Sequence, residues 1–569
     1  MPQPRAFVTR YTIGLTLLSG IFFALMLVFF FFNLGTASSD YSAGGVTATV
    51  QLFYNFLNGR PFQTSLYAID QSIGFINPYA YLNIYAIHIN LTPYLFAPIW
   101  NFWPNLSWLN GLVFLVNYGC MAIFAWKTLE HLSPHSYKIK ALTAIGLLLS
   151  SGFLFTFQQN AQFLLLSGPF MLAAYYFLLT RQRSMFVVSM ILLCLISEDA
   201  AMVAVTFSFY VFLFDRDARS FAYLAGTFSI VYLAAVLLIV QPAARAELAI
   251  TSSTTALVII KQIVDFNPDL GTLLIGLAPA LFFAPAFVIV VLLFGRPDVS
   301  WAKVAGLVFI APFPHWGQSI VVGATHHLLP VIIFLFAAFI TVLGRTPDVQ
   351  SATLPFPRKK AIFVFGLTAI FWAASMRILV SNLPEPILVP IYKLAGKNER
   401  ARKIEQNILD RKDNQRVLEV VRQIPKENSL VFMTNSAIAG IIADRSDIWP
   451  FPHYYGAADY LVLQPGARQS SFSFPTTGSL NFKESLAKGR ASISNDSVIS
   501  EESVLSIVRH LVVEEKTHRL ALEEPGVVLL ERIKKQPLYM PPSTVGFGWI
   551  QNIGLRGSNK ADQGKGTVK

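Results

Sequence analysis

Almost every Lys and Arg in the first two-thirds of the chain falls in every second gap between long apolar runs, and no other feature constrains the fold as tightly. Runs long enough to cross hydrocarbon, separated by gaps that alternate in basic charge, belong to a polytopic membrane protein with a readable orientation. The runs are 11–32, 107–126, 141–157, 163–179, 186–196, 200–214, 221–240, 270–294, 301–311, 328–343 and 361–379. They predict about eleven spans, most near the ~20 residues needed to cross ~30 Å of hydrocarbon. The even gaps hold Arg5, Arg10, Lys127, Lys138, Lys140, Arg181, Arg183, Arg216, Arg219, Arg296, Lys303, Arg345, Arg358, Lys359 and Lys360. The odd gaps hold Arg60, Arg245, Lys261 and Arg377. Fifteen against four puts the N-terminus in the cytoplasm, the odd gaps outside, and everything after Asn382 outside.

The apolar stretch 91–103 would reverse this charge pattern if counted as a span. It is short and interrupted by Pro93, Pro98 and Pro104. It therefore reads as a re-entrant or interfacial segment of a long first outer loop, 33–106.

Composition fits the same class. Hydrophobic residues are 54%, mean hydropathy is +0.52 and charged residues are 13%, against about 25% charged in a soluble domain. The net charge of +12 does not argue for nucleic acid, because fifteen of the positive residues follow from topology. Cys120 and Cys194 both fall inside runs, which excludes a disulfide framework. Residues 11–32 are too long for a signal-peptide core and read as a retained first span.

Beyond residue 382 the chain changes character. Pro384, Pro386 and Pro390 mark a linker over 383–398, after which apolar runs shorten to strand length and charges mix. Helical spacing over 399–424 ends at Pro425. Strands are predicted at 430–433, 460–463 and 527–533, with a short helix at 435–442. The expected architecture is mainly α, with a transmembrane domain over 1–382 and a small extracytoplasmic α/β domain over 399–535. The tail 536–569 is Gly-, Lys- and Ser-rich from Gly554 and reads as disordered at its end.

Ionisable groups in or beside apolar runs are expensive, so each is a functional candidate. On the outer side these polar groups are Asp40, Asp70, His88, Gln158, Gln159, Asn160, Glu198, Asp199, Lys261, Asp265, His315, His326 and His327. Each also has a structural reading. Asp40 can cap a helix, and Glu198-Asp199 can be wetted turn residues. Lys261 and Asp265 stand i, i+4 and can form a local ion pair, and neighbours such as His326 and His327 diverge by about 100° on a helix, which disfavours their sharing one metal ion.

A first run followed at once by an Asp, an amphipathic stretch over 46–57, a Gly-Arg-Pro turn and then HINLTPYLFAPIW resembles the membrane family called domain of unknown function 2079. FQQNAQFLLLSGPFMLAAYYFLL, SEDAAMVA, HHLLPVIIFLFAA and the tail series from IPKENSLVFM to ADYLVL continue the resemblance in order, over about residues 30–465. That family in turn resembles the GT-C glycosyltransferases, which transfer sugars from polyprenyl-phosphate donors at the outer face. The resemblance implies a GT-C-like fold and a multi-pass enzyme of the cell envelope, with membrane lipid and a polyprenyl-phosphate-linked sugar donor as partners. In those enzymes an acidic residue close behind the first span is catalytic or binds the metal, and Asp40 stands there. A second acidic element is expected in the second outer loop, where this chain has Gln158, Gln159 and Asn160. Neutral amides are weak ligands for Mg²⁺ or Mn²⁺, so the use of a divalent cation is left open.

For sugar transfer, Asp40, Glu198 and Asp199 are the catalytic candidates, since a carboxylate can take the acceptor hydroxyl's proton. Lys261, Arg245 and Arg377 are candidates for the departing phosphate, with His88, Gln158, Gln159, His326 and His327 as further substrate-binding candidates. A transporter and a non-enzymatic scaffold presenting the α/β domain are the competing classes. A transporter would show paired repeats and broken helices with charge at midplane. The sequence shows no convincing repeat, and the tail has no phosphate loop, nucleophile elbow or metal spacing.

Overall fold

The computed structural model describes residues 4–35, 46–58, 63–64, 82–83, 92–102, 106–150, 166–243, 270–322, 328–347, 362–364, 366–368, 385–425, 431–433, 448–450, 458–465 and 501–533. Most of these residues are helical. In chain order come α1 (Pro4–Gly35), α2 (Val46–Leu57), the two-residue strands β1 (Gln63–Thr64) and β2 (Leu82–Asn83), α3 (Thr92–Phe102), α4 (Leu106–Leu132) and α5 (Tyr137–Leu148). Then follow α6 (Ser167–Leu179), α7 (Arg183–Cys194), α8 (Glu198–Phe214), α9 (Arg219–Ala235, extended by a π turn Val236–Val240), α10 (Leu270–Phe294), α11 (Trp301–Phe309), α12 (Phe313–Val322) and α13 (Leu329–Gly344).

α13 explains how the body is organised. Its sequence, LPVIIFLFAAFITVLG, is apolar on every face, and a helix of that kind belongs in a core rather than at a surface. All of its residues except Thr341 are buried, and it packs against α4, α5, α6, α10 and α11. Small residues let the helices approach closely. A Cβ at Gly344 would stand 2.8 Å from Leu132 Cβ, and one at Gly306 would stand 2.6 Å from the Phe214 ring.

The outer surfaces are apolar as well. α1 exposes Leu17, Leu18 and Ile21, and α9 exposes Ile230 and Val231, with Leu238 and Ile239 following on the π turn. Surfaces of that extent are foreign to a soluble monomer and fit contact with lipid. Two described helical stretches, Ala6–Leu25 and Arg216–Ala243, are each long and apolar enough to cross a membrane alone. The eleven predicted crossings thus do not all appear as full-length helices among the described residues. α7 has 12 residues, about 18 Å of helix, which is short of the ~30 Å hydrocarbon core.

Within the stretch 91–103 the described residues form α3 (Thr92–Phe102), paired with α2 through Phe53–Trp100 and Phe56–Tyr94 ring contacts at 5.8 and 4.9 Å. One predicted span needs correction. The run 301–311 does not end at Ala311, because helix resumes as α12 to Val322. Pro312 has no N–H to offer Val308 O, and that carbonyl instead accepts from Trp316 Nε1 at 2.9 Å. The next turn shifts so that His315 N bonds Pro312 O, and Ala311 O accepts from Thr206 Oγ1 at 2.5 Å. Side chains thus satisfy the carbonyls released by the break, as burial in an apolar medium requires.

The even gaps converge on one end of the body. Lys140 Nζ reaches Thr346 O at 2.8 Å, Asp298 N reaches Arg345 O at 2.9 Å, and Arg181 pairs with Asp215 at 2.8 Å. Tyr175 near the end of α6 bonds Thr341 near the end of α13, so these links share a face. Arg181 has φ 60, and it closes α6 with Arg181 N to Leu178 O and Gln182 N to Phe177 O bonds, a Schellman cap in which Arg stands where Gly is usual.

Residues 383–398, expected as a linker, contain a helix, α14 (Glu385–Leu394), which packs on α15 (Asn398–Arg422), with Lys393 and Glu405 paired at 2.7 Å. The sheet comprises β3 (Val431–Met433), β4 (Ile448–Pro450), β5 (Tyr460–Leu463), β6 (His518–Glu524) and β7 (Val527–Arg532), preceded at β6 by α16 (Glu501–Val508). Its order is β4-β3-β5-β7-β6, with β3 parallel to β4 and β5, and β7 antiparallel to β5 and β6. β5, YLVL, is buried throughout, as suits a central strand. β4 and β6 were not expected. They are the edges, β4 ending in Pro450 and β6 carrying charge, so neither reads as a hydrophobic strand. The predicted helix at 435–442 lies outside the described residues.

Candidate functional site

α6, α8 and α13 all end beside the basic loops and begin at the opposite end of the body. α7 ends at Cys194, and three residues later Ser197 opens α8. Ser197 is extended, φ −164 and ψ 164, and its Oγ accepts from Ala200 N at 3.1 Å. Glu198 and Asp199 are the first two residues of α8, at 4% and 9% exposure. Two carboxylates this deep are unusual. The local sequence makes the position tolerable, because the positive end of the helix dipole favours anions in the first turn.

Around them the structure gathers further polar groups. Glu198 is within electrostatic range of the Tyr232 hydroxyl on α9. Cys194 Sγ donates to Ser229 Oγ at 3.3 Å, which in turn donates to Ala225 O at 2.8 Å, locking α7 to α9 beneath the turn. On the other side α12 packs against α8, and it carries the fully buried His315. Thr206 Oγ1 on α8 donates to Ala311 O, four residues before His315, so α12 starts alongside α8. His315 is among the outer-side polar residues of the sequence, but only the tertiary structure brings its helix against α8. Tyr232 was missed. Its signal in the sequence is a hydroxyl inside an apolar run, shared by many interface tyrosines.

Of the catalytic candidates, Glu198 and Asp199 are brought into this one turn, and Asp40 lies outside the described residues. So do the substrate-binding candidates His88, Gln158, Gln159, Lys261, His326, His327 and Arg377, as well as Asp70, Asn160, Arg245 and Asp265. Among the described residues no group of three or more His, Cys, Asp or Glu is placed to hold a metal ion. Glu198 and Asp199 are adjacent on a helix and diverge by about 100°. The described residues therefore do not build a divalent-cation site.

The chain belongs to the family described as a predicted membrane protein, domain of unknown function 2079, whose model matches residues 45–490. No curated protein matches it.

Proposed function

We propose that this family member is a membrane glycosyltransferase that moves a sugar from a polyprenyl-phosphate donor to an envelope or lipid acceptor at the outer face. The observation that supports it best is the burial of Glu198 and Asp199 in the first turn of α8, at the end of the body away from the basic loops. The cluster of basic gaps makes that other end the cytoplasmic one. A carboxylate held there takes the acceptor hydroxyl's proton as the oxygen attacks the anomeric carbon, and the bond to the donor phosphate breaks. The departing phosphate carries the negative charge away and needs hydrogen-bond donors.

The test is transfer from a radiolabelled prenyl-phosphate sugar by the purified full-length protein, with Glu198→Gln and Asp199→Asn beside wild type. General-base loss lowers the rate by roughly 10²- to 10⁴-fold. Wild-type rates in both variants would remove these residues from the chemistry.

A second reading has its own support. The break between α11 and α12 inside the body, with His315 beside it, has the form of the discontinuous helices that line transporter sites. Solute flux in proteoliposomes that depends on His315, without any sugar transfer, would favour a transporter.

A further inference from the structure

Polar atoms are stranded where α6 begins. Its N-cap position is Leu166, whose side chain offers no acceptor, and no side-chain cap bond is made. Ser167 is 0% exposed, and its Oγ has no hydrogen-bond partner among the described residues. Facing it from α4, Asn117 is 1% exposed, with neither Oδ1 nor Nδ2 bonded among the described residues. Asn117 Oδ1 lies 3.2 Å from the place a Cβ would take on Gly168, so the carboxamide abuts the first turn of α6. Met121 at 2.9 Å and Ile333 at 3.1 Å crowd the same point, which is why residue 168 has no side chain.

α6 has 13 residues, about 20 Å of helix, so its first turn comes roughly two-thirds of the way across the hydrocarbon, counted from the basic end. Unpaired amide and hydroxyl groups in that medium are costly. The start of a helix adds orphan N–H donors and a positive potential, a combination that receives an anion and repels a cation.

We propose that the first turn of α6 with Ser167 and Asn117 forms an oxyanion subsite that holds a phosphate ester. The hydroxyl of Ser167, Nδ2 of Asn117 and the N–H groups of Ser167 and Gly168 donate to its oxygens, Pro169 having none to offer. That the phosphate is carried by a prenyl chain rests on the transferase reading, whereas the oxyanion chemistry does not. Ser167 and Asn117 are neutral, so the site releases phosphate more readily than an arginine pair would.

The experiment is a binding titration of the full-length protein in nanodiscs with farnesyl phosphate and, separately, inorganic phosphate. Asn117→Asp and Ser167→Ala are measured beside wild type, with Ser19→Ala, another buried serine, as control. Both site variants are expected to bind farnesyl phosphate roughly tenfold or more weakly, with the control unchanged. If Asn117→Asp does not fold, Ser167→Ala decides. Competition by inorganic phosphate at equal concentration supports the subsite and assigns it to free phosphate. Wild-type affinity in the folded site variants, or no binding of either probe, overturns it. Binding without any sugar transfer refutes the transferase reading and leaves the subsite standing.

Discussion

Replacing Lys140 by Met should loosen the helical body, because Lys140 closes the end of α13, buried at every residue but Thr341. Its side chain is 0% exposed, and Nζ donates to Ser133 Oγ and Thr346 O, both at 2.8 Å, with Gly344 O at 3.5 Å. The two carbonyls lie at the C-terminal end of α13, where orphan acceptors and the negative end of the dipole favour a cation. A hydrogen bond involving a charged group is worth about 1.5–3 kcal/mol net, and the dipole adds about 0.3–2. Methionine fills similar volume and relieves the burial of charge, so we expect the lower part of that sum, about 2 kcal/mol. In thermal unfolding followed in detergent this corresponds to a midpoint lowered by roughly 2–3 °C. Lys138→Met is the control, since it removes the same topological charge from an exposed side chain and should cost under about 0.5 kcal/mol. Equal losses in the two variants would mean that the effect is one of topology and that the cap contributes nothing.

Three further outcomes follow from the same structure. Gly306→Ala pushes a methyl to within 2.6 Å of the Phe214 ring and should cost about 1–3 kcal/mol, whereas Gly119→Ala meets nothing within 4 Å and should be neutral or stabilising in the same melting assay. Ser197→Ala removes the bond to Ala200 N and should destabilise α8 by about 1 kcal/mol, read as faster hydrogen exchange in its first turn. His518 lies in the C-terminal sheet, with Nε2 donating to Ala458 O at 2.8 Å, and burial pushes its pKa below the usual 6.5. A lowered folded pKa means the unfolded chain binds the proton more readily, so this contribution is whole above pH ~6.5 and is lost as pH falls through the folded value. Exchange protection of β6 in the full-length protein should therefore weaken on acidification, and His518→Gln should flatten that dependence. A slope left intact by the substitution would exonerate His518.

What the sequence determined by itself is whatever physics acts locally along the chain. Basic residues sort loop by loop, so the even gaps could be read from composition, and the structure gathers those it describes at one end. The uniformly apolar α13 and the buried strand YLVL likewise declare themselves, because burial on all sides leaves no polar face to hide the pattern. Other features depended on residues far apart in sequence, and only the tertiary structure could decide them. Pro312 reads as the end of a run, yet α12 continues, since Trp316 and Thr206 accept the bonding duty that proline cannot. Lys140 counts as one loop charge among fifteen until α13 arrives to be capped by it. Asn117 is one polar letter in an apolar run until α6 begins against it. Local patterning fixes which segments seek lipid or core, whereas a polar group's role is set by the partner that folding brings to it.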